Sequence, residues 1–401
     1  MTARPAPLED GAVTRHTARL WKYRPIPADE PEPFPEYRSC CRDYPGGTVL
    51  AAQVRGKKHK HEGRNGDDWY AEAAAGEMLF AAVSDGAGSR KFSRIGARES
   101  CRAAVDYLAR AFGTLWAARP ELSGHIALPF GDPRCQEAFR AVAETVQQSV
   151  RAAREAAEAA FHSRSGVPAY EAALGRPLEL EDFSATLLVA AVLPAGAAGT
   201  LTAACQIGDG MITLLDTKAP FETAAKLLGT ADSGMFSGET EFLTSPRMRT
   251  LEALQSRTKI SRGHSDLLLL MTDGVADDYF PYETELRRLY CDLIANGIWE
   301  QTPACEAERV EDLPEPLCYP WVNDQTISVP LHDTRRILEH TGRTLEELWN
   351  RRDILRLASR NLPEQLALET PEARLLRWLD NYVARGSFDD RTLAAIAIKE
   401  G

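Results

Sequence analysis

Five segments, far apart in the chain, each set an aspartate at the edge of an apolar run. Asp67-Asp68 precede Trp69-Tyr70, and Asp85-Gly86 close the run at 78–83. Asp209 sits in Gly208-Asp209-Gly210. Asp273-Gly274 follow residues 267–272, with Asp277-Asp278 soon after, and Asp389-Asp390 precede the final apolar run. Strands that end this way can converge at one end of a sandwich. Four or five carboxylates crowded together force one another to protonate unless cations share the site. Oxygen ligands select hard ions, so Mg2+ or Mn2+ is expected, octahedral and retaining several waters. Two such ions about 3.5–4 Å apart would activate a bridging water and clamp a phosphoryl group. The Asp-Gly pair suits a ligand position, because the strand fixes the carboxylate and the glycine leaves its carbonyl reachable. Plainer readings stand beside this one. Asp85 alone could cap the following helix, and Asp209 could be turn chemistry.

The elements that must position these residues are legible as runs and periods. Residues 78–83 have the length and bounds of a buried strand. Further strands are expected at 48–54, from Trp69 onward, at 182–193, at 267–272 and after Asp390. Residues 199–207 and 211–215 read as a hairpin closed by a type I′ turn. Amphipathic helices are expected at about 93–118 and 132–162. Helical spacing returns at 283–297, 333–360 and 371–385, with a capping box at Thr344-Leu345-Glu346-Glu347. The stretch at about 279–385 lacks the strand-Asp signature and reads as an inserted helical subdomain. It either elaborates the fold or gates the site at whose edge it begins and ends. Lys57, Lys58, His59, Lys60 and His61 form a basic cluster, read as a solvated hairpin tip or as a phosphate-attracting rim. His59 and His61 as metal ligands is the poorer reading, since carboxylate-rich sites take ions that prefer oxygen.

The chain of 401 residues is 44% hydrophobic and 26% charged, the balance of an ordinary soluble globular protein. A net charge of -11 argues against nucleic acid as a partner, because phosphate-backbone binding needs clustered Lys and Arg. No apolar run approaches the ~20 residues of a membrane span, and the first residues have no apolar signal-peptide core. A soluble, cytoplasmic protein with no membrane partner is expected. The eight cysteines contain no C-x-x-C pair, so a zinc ribbon is not expected. Proline-rich residues 1–46 read as an extended or disordered arm, with Trp21 and Tyr23 available to dock it. The domain is expected to fill 47–401.

The ordered set is Arg64-Asn65-x-Asp67-Asp68, strand-Asp85-Gly86-Ala87-Gly88-Ser89, Ser184-Ala185-Thr186, Gly208-Asp209-Gly210, strand-Thr272-Asp273-Gly274-Val275-Ala276-Asp277 and Phe388-Asp389-Asp390-Arg391-Thr392-strand. It resembles the metal-dependent serine/threonine phosphatases of the phosphatase 2C (PPM) family, and is most similar to the bacterial branch through His59, Gly63 and Asp67-Asp68. The resemblance covers about 48–278 and 386–400. It implies an α+β fold, an α-β-β-α sandwich of two mostly antiparallel sheets flanked by helix pairs. It implies hydrolysis of phosphoserine or phosphothreonine on proteins by a hydroxide bridging two metal ions, without a phosphoenzyme. The catalytic set would be Asp68, Asp85, Asp273 and Asp389. By motif, Asp85 bridges the two Mn2+ or Mg2+ ions, the Gly86 carbonyl binds one of them, and Asp273 and Asp389 complete the other. Asp68, with Asp67, holds metal-bound waters, and Asp209 and Asp277 match a third, looser metal. The implied partners are a phosphorylated protein and a cognate serine/threonine kinase. Two departures stand out. Gly63 occupies the position, five before Asp68, where many members carry a phosphate-binding arginine; Arg64, His59 or Lys60 are the candidates to replace it. Asp67 stands where a glutamate is usual. The missing arginine and the large insertion open the alternative of a fold that has lost turnover and binds a kinase or phosphoprotein.

Overall fold

The structure, a computed structural model, describes residues 22–229, 241–280, 282–299, 313–316, 331–362, 369–381 and 388–399. Two antiparallel sheets stack between helical layers, an α-β-β-α sandwich. The first sheet runs β1 (Tyr37–Tyr44), β2 (Gly47–Val54), β11 (Arg391–Ile398), β10 (Leu267–Met271), β7 (Met211–Leu215) and β8 (Ala225–Leu227). The second runs β3 (Trp69–Ala75), β4 (Met78–Ser84), β5 (Leu187–Pro194), β6 (Thr200–Ile207) and β9 (Thr258–Gly263).

The apolar runs exist because the central strands are covered on both faces. In β2, Val49 and Ala51 pack between the sheets, while Leu50, Ala52 and Val54 face the outer helical layer. In β10, Leu268 and Leu270 point inward and Leu267, Leu269 and Met271 outward. In β4, Leu79, Ala81 and Val83 face the first sheet, and Met78, Phe80 and Ala82 face helices. Those helices are α2 (Ser93–Ala118) and α3 (Pro133–Arg164). They follow α1 (Lys57–Glu62), a short helix before β3. Asp132 caps α3 by accepting from the Arg134 N–H at 2.9 Å. Val142, Val146, Val150, Ala153 and Ala157 line its buried stripe.

On the other side, α4 (Tyr282–Ala295), α5 (Thr334–Thr341), α6 (Leu345–Asn350), α7 (Arg352–Arg360) and α8 (Pro371–Asn381) cover the outer face of the first sheet. Trp349, Leu375 and Trp378 are buried in one core with Leu50, Leu269 and Leu393. The stretch read as an inserted subdomain is therefore the second helical layer of the sandwich. Its aromatics complete the core of the sheet. Of residues 300–330 in the middle of that stretch, only 313–316 fall within the described residues.

Three other expectations change. Residues 37–44, placed in the arm, form edge strand β1, paired along its length with β2. Its side chains are half or fully exposed, so no apolar alternation announces it. The basic cluster is no solvated tip. It is α1, with Lys57, His59 and Lys60 buried. The expected 199–215 hairpin does not form, because β6 pairs with β5 and β9 while β7 pairs with β10 and β8. The Gly208-Asp209-Gly210 turn crosses from one sheet to the other.

Candidate metal centre and phosphate site

β4 delivers Asp85 to the end of the sandwich. The Ser84 hydroxyl donates to the Thr186 carbonyl (2.5 Å), the Thr186 N–H donates to the Asp85 carbonyl (2.8 Å), and the Asp85 N–H donates to the Thr186 hydroxyl (2.8 Å). Gly86 bridges to Ala185, and its N–H donates to the Asp67 carbonyl at 3.2 Å. A Cβ at Gly86 would stand 2.7 Å from Ser93 Oγ and 2.8 Å from Ser93 backbone carbon, so α2 can start this close only over a glycine.

The sheet-crossing turn and the loop after β10 bring two further carboxylates to Asp85. One oxygen each from Asp85, Asp209 and Asp273 lie within 4.8 Å of one another. Burial and the charges of Asp209, Asp389 and Asp277 raise Asp273 to about 8. Burial, then Asp273, Asp68 and Asp389, push Asp85 well above the ordinary carboxylate range. Burial and Asp390 push Asp68 up as well, and burial, Asp209 and Asp389 raise Asp277. Asp68 Oδ2 accepts from the hydroxyls of Thr272 (2.8 Å) and Thr392 (2.7 Å). Asp68 Oδ1 and Asp67 Oδ2 are buried without a hydrogen-bond partner. Orphaned, crowded, hard oxygen donors are what a divalent cation requires and what a folded chain otherwise avoids. The residues present therefore fit Mg2+ or Mn2+.

Beside this cluster lies a second, fully satisfied carboxylate. Asp390 accepts from the backbone N–H groups of Gly56 (2.5 Å) and Asp67, and pairs with His59 Nδ1 at 2.9 Å. These donors hold Asp390 below the usual carboxylate range despite burial. Burial works against the charge on His59, yet Asp390 outweighs it and lifts the imidazole to about 9. His59 Nε2 lies 3.8 Å from Asp67 Oδ2. One buried group thus ties together α1, the segment carrying Asp67 and Asp68, and the segment carrying Asp389.

Residues 55–305, more than half of the chain, match the family model for protein phosphatase 2C. The chain belongs to the protein phosphatase 2C family. No curated protein matches it. Among solved structures it is similar to RsbX in complex with magnesium, at 11% identity and TM-score 0.32, over 90% of this chain and 100% of that one. It is similar to a bacterial serine phosphatase at 11% identity and TM-score 0.37, over 88% and 98% of the two chains. It is also similar to serine-threonine phosphatase 2C from Toxoplasma gondii at 12% identity and TM-score 0.44, over 91% and 100%.

In this member of the phosphatase 2C family, position 63 is strained for any residue with a side chain. Gly63 has φ 73° and ends α1 in the left-handed conformation. A Cβ there would meet the Pro25 carbonyl oxygen at 3.3 Å. Arg64 takes the open position instead. Its Nη2 donates to the Gly88 carbonyl at 2.8 Å and lies 3.7 Å from Asp67 Oδ2. The two rival phosphate groups face elsewhere: His59 is buried against Asp390, and Lys60 Nζ pairs with Asp380 of α8 at 2.5 Å. Sequence reasoning missed Asp390, Thr272 and Thr392. The signal for Asp390 was present, since adjacent residues in extended chain point opposite ways and one of an Asp-Asp pair must turn inward.

Proposed function

We propose that this protein hydrolyses phosphoserine or phosphothreonine on proteins with the help of Mn2+ or Mg2+. The observation that carries the reading is the convergence of Asp85, Asp209 and Asp273 beside the orphaned oxygens of Asp67 and Asp68. Asp85, Asp273, Asp389 and the Gly86 carbonyl would hold two ions, Asp68 and Asp67 would hold their waters, and Asp209 and Asp277 would hold a third. Bound there, the cations would lower the pKa of water to make a nucleophile and neutralise charge on the phosphoryl oxygens. The chain's own residues do the rest. Thr272 and Thr392 orient the Asp68 carboxylate from the ends of β10 and β11. Thr186 fixes the backbone on either side of the Asp85 peptide. Arg64, half-exposed beside Asp67, would grip two phosphate oxygens with its planar fork. The substrate class is a phosphoprotein made by a serine/threonine kinase, and the setting is the cytoplasm. Among the described residues no helix is long and apolar enough to cross a membrane.

Hydrolysis of p-nitrophenyl phosphate and of a phosphothreonine peptide, with Mn2+, Mg2+ or EDTA, tests this reading. Turnover that appears with the metals and vanishes with EDTA supports it. No metal-dependent turnover on either substrate sinks it.

A further inference from the structure

Residues 22–36 precede the stretch that matches the family model. They run as a strap from α1 past Asn65 to the start of α2, tied down at both ends and in the middle. At one end the Lys22 N–H donates to His61 Nδ1 (3.0 Å) and the Arg24 N–H to the Lys60 carbonyl (2.6 Å). Arg55 Nη2 donates to the carbonyls of Arg24 (2.8 Å) and His59 (2.9 Å), joining strap and α1 through one guanidinium. At the other end the Phe34 N–H donates to Asn65 Oδ1 at 2.8 Å, and the Phe34 ring sits edge-on to Trp69 at 5.0 Å. The ends are closed on each other by Glu36, which accepts from the Tyr23 hydroxyl (2.7 Å) and Arg55 (2.8 Å).

The middle is held by charge. Glu30 pairs with Arg94 (3.0 Å) and Lys91 (3.2 Å), and Glu32 with Arg98 (2.8 Å) and Arg164 (2.6 Å) and with the Tyr170 hydroxyl. Glu32 has φ 48°, a left-handed backbone that a side-chain-bearing residue adopts only when its surroundings enforce it. The strap thereby brackets one tripeptide. Arg24 and Pro25 close over Gly63, Phe34 holds Asn65, and Arg64 lies between.

We propose that this strap is a positioning element for Arg64, setting the aim of the phosphate anchor from both sides of its backbone. The inference rests on the reading of Arg64 given above. A side chain can reach its ligand only from a backbone held in the right place, and fixing that backbone beforehand removes its ordering cost from binding. The strap then acts on substrate binding more than on the chemical step.

The test uses full-length protein and the E30Q/E32Q variant, which loosens the middle of the strap and touches neither the carboxylate cluster nor Arg64. Kinetics on p-nitrophenyl phosphate with Mn2+ are compared for wild type, E30Q/E32Q, R64A and the combined variant. In E30Q/E32Q, KM is expected to rise about threefold with kcat within about twofold. In the R64A background the same change should move KM by less than about 1.5-fold, because the group being aimed is gone. An equal factor in both backgrounds, or no change in either, overturns the proposal. If E30Q/E32Q does not fold, E30Q alone carries the same cycle, with the same outcomes. If wild type shows no metal-dependent turnover, the phosphatase reading has failed, and the strap is judged on binding of inorganic phosphate to the Mg2+-loaded protein. An affinity about threefold weaker in E30Q/E32Q, shrinking to less than about 1.5-fold when the same substitutions are made in R64A, supports it, and an equal factor in both backgrounds overturns it. Phosphate affinity indifferent to both changes overturns it.

Discussion

Asp85, half-buried, and Asp390, buried, are both aspartates at strand edges, and their surroundings give them opposite tasks. Asp85 is crowded by Asp273, Asp68 and Asp389, so ionising it in the metal-free protein is unfavourable. Asp85→Asn is expected to abolish metal-dependent turnover while the metal-free melting temperature holds or rises, since one of the competing charges is gone. An unfolded Asp85→Asn protein would make the residue a structural cap. Asp390 is surrounded by donors from Gly56, Asp67 and His59. Asp390→Ala leaves a buried imidazolium without its counter-charge, and is expected to lower stability by about 3–5 kcal/mol in urea titration. A loss under about 1 kcal/mol, the range of a surface pair, would remove the hub from the argument. For Arg64→Ala, KM should rise more than kcat falls, because a guanidinium gripping phosphate acts on bound substrate. Unchanged kinetics would leave the phosphate to the metals alone.

Among the elements, the helices from α4 to α8 announce themselves by helical spacing but not by the sheet face that they cover. Trp378 of α8 is buried in the same core as Leu50, Leu269 and Leu393. Asp380, on the same helix, receives Lys60 of α1. Trp378→Ala is therefore expected to destabilise the whole domain by about 3–5 kcal/mol, as for other large cavities. A single urea transition should persist when followed by far-UV dichroism and by tryptophan fluorescence. Two separate transitions would mean that these helices form a core of their own. The short helix α1 makes the same point in small. Its Lys60 and His59 are buried against Asp380 and Asp390, which come from far along the chain.

For the molecule as a whole, the crowded carboxylates link stability to pH and to metal. Asp67 is raised to about 7, Asp273 to about 8 and Asp278 to about 7, each chiefly by burial. The unfolded chain releases these protons near 4. Between these values the native state binds more protons than the unfolded one, so stability falls as pH rises. His59, raised to about 9, contributes in the same direction, its stabilisation being lost above that value. His332, lowered to about 4 by burial, opposes them, but only below its unfolded value of 6.5. Between pH 8 and 6.5 Lys57, held well below the usual lysine range by burial, opposes them but is outnumbered by the raised carboxylates and His59. The metal-free melting temperature should rise as pH is lowered through that window, and saturating Mg2+ should raise it most at pH 8 and flatten the slope. A metal-free melting temperature that falls on going from pH 8 to 6.5 would contradict the burial of these carboxylates.

The sequence by itself determined the carboxylate positions and the strands that carry them. A buried strand must be continuously apolar and its end must turn, so residues 78–86, 267–274 and 389–398 declare themselves locally. It also determined that position 63 could not anchor a phosphate in the usual way, since a glycine has no side chain to offer. Tertiary structure alone decided which partners those elements take. The turn at Gly208-Asp209-Gly210 specifies a reversal, but only the competing sheets settle that β6 and β7 separate. Edge strand β1 is specified by its pairing with β2 and not by its exposed side chains. That Asp390, and not its neighbour Asp389, gathers the N–H donors of two distant segments was also settled only in three dimensions. Those donors reach Asp390 from Gly56, His59 and Asp67, over 300 residues away, and their arrangement is a property of the packed sandwich.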